Sequence, residues 1–399
     1  KTTVTECASD ALADLDRKKA KTGKVATSAD GEQEKAKASV TAGVTSMTFE
    51  QFMSCLDMLF DQILSLLKGA VGATKFLREE GILLRDEDRT EDGEDGETKG
   101  VVALSAAADL SHKSISELLR LRKEAHSLIT FHEMKRLWDA CLAFTLSLER
   151  ASGQKAVGLR SALLTQAKAF VERRHEANMA SLVSALDSER WIQCDISPER
   201  QISLDRLCSG RAVLSDGSDL LPSSSTTNPA FTSVVSARPQ GNSLAEASVE
   251  GKHYKVVWSS LVLVEMVMSN VTVAAHFQSL ATNVVAKVAE LLRLFNSRAT
   301  QLVLGAGAIH SAARLKSINA KHLSLVTQCL GLTVTILPHI RAGLMAQLPS
   351  RQHALLLELD KIKKEFGEHQ EKVLAKLVSI IGGIIERGLA PLIPKTDFD

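Results

Sequence analysis

The pair His132-Glu133 opens like the helix of a zinc protease, where two histidines four residues apart ligate the metal and the glutamate polarises a water. Position 136 is Arg136, so the second ligand is missing. His126 and His132 stand six apart and do not share a helical face. Gly305-Ala306-Gly307-Ala308-Ile309-His310 contains the G-x-G of a phosphate-cradling turn, but His310 stands where the third glycine belongs. No strand pattern precedes it, and no acidic residue follows at the roughly 20-residue distance a dinucleotide fold requires. These small residues suit a tight helix-to-helix turn or close helix packing instead. There is no Walker loop. No catalytic residue, metal ligand or cofactor site is therefore expected, and the chain is not read as an enzyme.

Other chemistry-bearing residues lead to the same place. Cys7, Cys55, Cys141, Cys194, Cys208 and Cys329 are scattered, with none two or three apart, which argues against a zinc knuckle and fits reduced thiols in the cytosol. Trp138, Trp191 and Trp258 are too dispersed for a base-stacking platform and read as core or groove residues. Asn270-Val271-Thr272 matches a glycosylation sequon by chance, inside a strongly apolar helix. One feature has a definite sign. From Met266 to Leu357 the single acidic residue is Glu290, against the eight basic residues Lys287, Arg293, Arg298, Arg314, Lys316, Lys321, Arg341 and Arg351. Two uses remain open: a basic face for an anionic membrane, an acidic protein or nucleic acid, or charges spread round several helices that keep an apolar region in solution.

These residues must be held by helices. Apolar positions recur at three- and four-residue steps: Phe49, Phe52, Met53, Leu56, Leu59, Phe60, Ile63 and Leu67 after a Thr48/Gln51 capping box. A second box at Ser114/Glu117 predicts a helix running on to Leu148, broken at Ser152-Gly153. Further helices are predicted at about 154–190, 254–277, 282–304, 309–347 with a kink or break at Pro338, and 350–389. No period-2 run is convincing. Neither 256–277, interrupted by Glu265, Asn270 and His276, nor the 15 charge-free residues 323–337 reads as a membrane span; both read as buried helices.

Aromatic residues make up 4% of the 399, which favours Leu/Ala helical bundles over sheets packed on aromatics. Lys and Arg total 48 against 47 Asp and Glu, excluding a histone-like basic chain, but residues 251–399 carry net +7 and residues 1–250 net −6. The expected organisation is low-complexity, mostly disordered sequence at 1–47, a helix at 48–84, an acidic disordered loop at 85–100, and a helical bundle at 101–208. A Ser/Pro-rich disordered linker at 209–250 and a C-terminal helical bundle at 251–399 complete it. The fold class predicted is all-α, an elongated rod of stacked helical bundles.

Two ordered blocks carry a resemblance. One comprises Phe295-Asn296-Ser297-Arg298, Gln301-Leu302-Val303-Leu304-Gly305-Ala306-Gly307-Ala308, Leu315-Lys316-Ser317-Ile318 and Lys321. The other comprises Leu159-Arg160, Ala162-Leu163, Gln166-Ala167, Phe170-Val171, His175-Glu176 and Asp187-Ser188-Glu189-Arg190-Trp191. Together they resemble the vacuolar protein sorting-associated protein 54 family, a subunit of the Golgi-associated retrograde protein (GARP) tethering complex, over about residues 110–390.

That resemblance implies a non-enzymatic vesicle tether without cofactors, shared in architecture with exocyst-like complexes. Its implied work is retrograde transport from endosomes to the trans-Golgi network, where it would sit peripherally at the membrane from the cytoplasm. Implied partners are the other complex subunits, SNAREs and a Golgi or endosomal Rab-type GTPase, with contact to anionic membrane and no nucleic acid. The chain, which begins at Lys1, reads as a fragment lacking the family's N-terminal assembly coiled coil and its last C-terminal helices. The rival readings are another helical-rod tether subunit and a helical nucleic-acid scaffold using the basic 287–351 region. The interaction block expected from the first segment is Phe295, Asn296, Arg298, Gln301, Gly305, Gly307, Leu315, Lys316 and Lys321, a packing junction with Leu302 and Val303 in the contact. The candidate basic face is Lys287, Arg293, Arg314, Arg341 and Arg351.

Overall fold

The computed structural model describes residues 41–79, 96–210, 244–305 and 317–389. The fold is all-α, as the 3.6-residue period predicts, and divides into two units at Arg122–Lys123. That division differs from the expected bundles at 101–208 and 251–399. Hydrophilic linkers show where a chain is solvated, whereas contacts between apolar faces decide which helices belong together.

The first unit contains helical residues 41–46, α1 (Phe49–Glu79) and α2 (Gly96–Leu121). The Thr48/Gln51 box forms: Gln51 Oε1 accepts from the Thr48 amide at 2.9 Å, and Thr48 Oγ1 accepts from the Gln51 amide at 3.3 Å. Phe52, Met53, Leu56, Phe60 and Leu67 are buried along α1, and Ala108, Ile115 and Leu119 along α2. Arg122 closes the end of the 41–46 helix by donating to the carbonyls of Val44 (2.6 Å) and Met47 (2.8 Å), with its guanidinium 4.7 Å above the Phe52 ring. Helix α2 begins at Gly96, inside the segment expected as loop, so Ser114 lies mid-helix and the second predicted box does not exist. The expected loop residues 85–95, like most of 1–47, lie outside the described residues.

The second unit starts with α3 (Lys123–Ser127) and α4 (Phe131–Ser152), so the single run expected as far as Leu148 is three helices. The cause is local. Thr130 and Glu133 form a reciprocal capping box that starts α4 afresh, and Gly153, at φ 71°, ends it where the Ser-Gly pair predicts. Helix α5 (Val157–Asp187) and α6 (Pro198–Cys208) follow.

A small sheet then interrupts the helices, at the end of a segment expected to be disordered. β1 (Ala247–Val249) and β2 (Lys252–Tyr254) pair antiparallel through a two-residue turn in which Glu250 (φ 53°) and Gly251 (φ 76°) are both left-handed, the arrangement that matches strand twist. The Gln201 amide closes one edge by bonding both the N–H and C=O of Ser248, and Gln328 Oε1 accepts from Lys255 N at 2.7 Å. Three-residue strands are too short to show alternation, which is why the period did not reveal them.

Helices α7 (Trp258–His276), α8 (Ala281–Val303), α9 (Ala320–Met345) and α10 (Leu357–Leu389) complete the unit. By length and composition α7 and α9 could each cross a membrane, contrary to the sequence expectation, but both lie largely within the core. Asn270 is buried there, its Nδ2 donating to the Met266 carbonyl, which fits a chance sequon. Helix α9 runs through Pro338 instead of ending at it. Buried Ile336, Leu337, Ile340 and Leu344 hold both sides of the proline against neighbours. Helix α8 is the centre: its buried residues, from Ala281 to Val303, face α5, α7 and α10 in turn.

Candidate functional site

The residues singled out by sequence converge on α8. Phe295 is buried and stacks on Phe366 of α10, with ring centroids 6.3 Å apart and planes 5° from parallel. One residue on, Asn296 Oδ1 accepts from Nδ1–H of His369, also on α10, at 2.8 Å. Two further on, Arg298 turns to α5: its Nε and Nη2 donate to Asp187 Oδ1 at 2.9 and 2.7 Å, and Nη1 donates to Gln301 Oε1 at 3.1 Å. Leu302 and Val303 are buried below. A Cβ at Gly305 would come within 2.9 Å of the Gln301 carbonyl oxygen, so the helix end tolerates only a glycine without adjustment. Gly307, Arg314, Leu315 and Lys316 lie outside the described residues, and Lys321 is exposed in the first turn of α9.

The α5-facing side of α8 carries a polar ladder above this point. Asn283 Nδ2 donates to Glu172 at 3.1 Å, Lys287 lies 3.0 Å from the same carboxylate, and Glu290 meets buried His175 at 2.7 Å. Positions 283, 287, 290 and 298 follow helical spacing, so one stripe supplies all four contacts. Burial alone would raise the Glu172 carboxyl, but hydrogen bonds from Asn283 and Lys287 outweigh it and hold the pKa below the ordinary value. On the α10 side, burial pushes His369 down to about 4, so the ring is neutral at pH 7.

Most of the expected basic face is thus internally matched. Lys287 pairs with Glu172, Arg293 with Glu358 (2.5 Å) and Glu365 (3.6 Å), and Arg341 with Asp360 (3.1 Å). His276 meets Asp139 at 3.2 Å and His339 meets Glu250 at 2.9 Å. The carboxylates come from α4, α5, α10 and the hairpin turn, outside the acid-poor stretch. Arg351 and Lys321 project from the surface without a described ion pair.

The second block is the partner of the first. Beyond Asp187, the buried Glu189 accepts from the amide of Trp191 at 3.0 Å and from that of Ser259, in the first turn of α7, at 2.8 Å. This carboxylate satisfies an otherwise orphaned helix-start donor. It also braces Trp191, a buried residue held at φ 54°. Sequence had marked both blocks, but nothing in either string indicated that they touch.

The chemistry available is packing chemistry. Glu133 serves the α4 cap while His132 is exposed, and no metal-binding cluster of three His, Cys, Asp or Glu occurs among the described residues. Burial pushes the Cys194 and Cys329 thiols up to about 12 and Cys208 up to about 11, so these are protonated and poor nucleophiles. Trp138 meets Phe277 edge to face at 5.0 Å, Trp191 is buried, and Trp258 lies under the Arg200 guanidinium at 5.0 Å.

Fold and site together define a helical scaffold whose ionisable side chains pin helices to one another. The family model for Vps54-like protein matches residues 251–383, from the hairpin turn to the later part of α10. Vacuolar protein sorting-associated protein 54 of Homo sapiens is 32% identical over 292 residues, covering 72% of this chain and 28% of the relative. The Arabidopsis thaliana protein named vacuolar protein sorting-associated protein 54, chloroplastic, is 30% identical over 333 residues, covering 70% and 32%. The Drosophila melanogaster protein is 27% identical over 279 residues, covering 70% and 27%. The chain belongs to the Vps54-like family. It spans less than a third of the length of these curated relatives. No solved structure matches it.

Proposed function

We propose that this chain is the helical scaffold portion of a vesicle-tethering subunit, acting without catalysis. In this reading it serves retrograde transport from endosomes to the trans-Golgi network, within a GARP-type complex at the cytoplasmic face of those membranes. Its partners are the other complex subunits, SNAREs and a Rab-type GTPase, and its role is to hold them at set distances so that weak contacts add. The observation that carries the proposal is the α8 junction: the segment matching the family is fastened to α5 and α10 by buried aromatic stacking, a matched charge pair and a partly buried hydrogen bond. A scaffold needs such rigid fastening between its helices.

The nucleic-acid alternative draws no support from this geometry. Lys287, Arg293, Arg298 and Arg341 already face carboxylates, and phosphate contacts would have to displace them. The test is purification of the tagged chain, and of the full-length subunit containing it, from cells. Recovery of tethering-complex subunits with the full-length protein, and a block in endosome-to-Golgi recycling when the junction is mutated, are expected. Recycling that proceeds normally without the subunit would refute the proposal.

A further inference from the structure

Helix α10 outlasts the core that it serves. Its buried residues are Leu359, Ile362, Phe366, His369 and Val373, and none follows in the roughly four turns from Leu374 to Leu389. Those turns are nevertheless apolar. Leu374, Val378, Ile381, Ile384, Ile385 and Leu389 are 41–68% exposed, and no residue from Leu377 to Ile385 is charged. A solvated helix face ordinarily carries charged side chains, as α10 itself does from Glu358 to Lys372. Lacking them, this surface calls for a cover. Residues 390–399 hold Leu392, Ile393 and Phe398 as their large apolar side chains, too few to match the six exposed on the stripe.

We propose that this stripe of α10 is the seam through which two copies of the chain associate, helix against helix, in a two-fold symmetric dimer. Leu374, Val378, Ile381 and Ile385 recur at steps of four, three and four residues, the seam of a coiled coil with Val378 and Ile385 at a and Leu374 and Ile381 at d. β-Branched side chains at a suit two strands. The flanking e and g positions are Ala375, Leu377, Gly382 and Ile384. Coils that select a different partner carry complementary charges there, and these carry none, so nothing in the seam repels an identical helix. One face serves both copies, as a two-fold axis requires. A lipid surface fits less well, because a helix lying on one has a basic polar face, whereas Lys376 and Arg387 here are offset by Glu386. The dimer stands independently of any role in tethering.

The experiment is sedimentation equilibrium of the 399-residue chain over a concentration series, with Ile381→Glu, Ile385→Glu and Leu66→Glu measured in parallel. A dimer is expected for the unaltered chain. Each isoleucine change weakens self-association at least tenfold, because it sets a carboxylate among apolar side chains in both copies at once. Leu66→Glu makes the same kind of change at a leucine of α1 that is 75% exposed, and leaves the dimer intact. Far-ultraviolet circular dichroism of each protein checks that its helices survive. Should a glutamate variant lose helix, Ile381→Ala favours helix more than the parent residue does, and it too is expected to weaken association at least tenfold. A chain that stays monomeric overturns the proposal, and sedimentation of that monomer with anionic vesicles would assign the stripe to a lipid surface. So does a dimer untouched by both isoleucine changes, or one that Leu66→Glu weakens equally.

Discussion

Arg298 and Asp187, 111 residues apart, are joined by two hydrogen bonds to a single carboxylate oxygen, and the contact links the two sequence blocks that carry the family resemblance. Both side chains are about a third exposed, so water screens part of their attraction. A double-mutant cycle with Arg298→Ala and Asp187→Ala, read by urea denaturation, is expected to give a coupling of about 0.5–1 kcal/mol. A coupling indistinguishable from zero would make the pair a crossing of side chains without energetic meaning.

The aromatic contact beside it is worth more. Phe295→Ala empties a fully buried site against Phe366 and is expected to destabilise the second unit by about 3–5 kcal/mol. Phe366→Ala has a comparable effect, and the double variant loses less than the sum because the rings stack on each other. Additive losses would show that each ring packs independently of its partner.

His369 supplies a pH dependence with a definite sign. Its folded pKa, about 4, lies below the ordinary histidine value of 6.5, so the unfolded chain takes up the proton first. Its neutral ring stabilises the fold fully above pH 6.5, and that contribution declines as the pH falls towards 4, with a slope of up to about 1.4 kcal/mol per pH unit. His369→Gln is expected to flatten this part of the stability curve, and denaturant midpoints from pH 7 to pH 4 would reveal it. Parallel curves for parent and variant would exclude the assignment.

Charge reversal separates the matched basic residues from the unmatched ones. Changing Lys321 and Arg351 to Glu leaves the melting temperature nearly unaltered, since both are exposed. Changing Lys287 and Arg293 to Glu sets like charges beside Glu172 and Glu358, and is expected to cost about 2 kcal/mol or more at the effective dielectric of a partly buried pair. The reverse order of effects in thermal melts would mean that the internal pairing is unimportant.

The α-helical class and several helix ends, among them the start of α1 and the end of α4, were determined by local rules, because apolar period, capping pairs and glycine breaks act over a few residues. Thr48/Gln51 and Ser152-Gly153 behave as those rules demand. Ser114/Glu117 does not, because a capping signature inside a longer favourable helix has no free helix start to satisfy. The hairpin at 247–254 depended on the Gln201 and Gln328 amides, which approach from distant helices.

What the sequence by itself offered about the candidate site was one block of candidates, including Phe295, Asn296, Arg298 and Gly305, and a second block, including His175, Asp187, Glu189 and Trp191, marked only by resemblance. Tertiary structure alone decided the partnerships. The acid-poor stretch looked like a basic surface because Glu172, Asp187, Glu358 and Asp360 lie outside it along the chain, and they become its neighbours only when α5 and α10 pack on α8 and α9. Charge compensation depends on distance in space, and a linear string records that distance only within a helical turn or two.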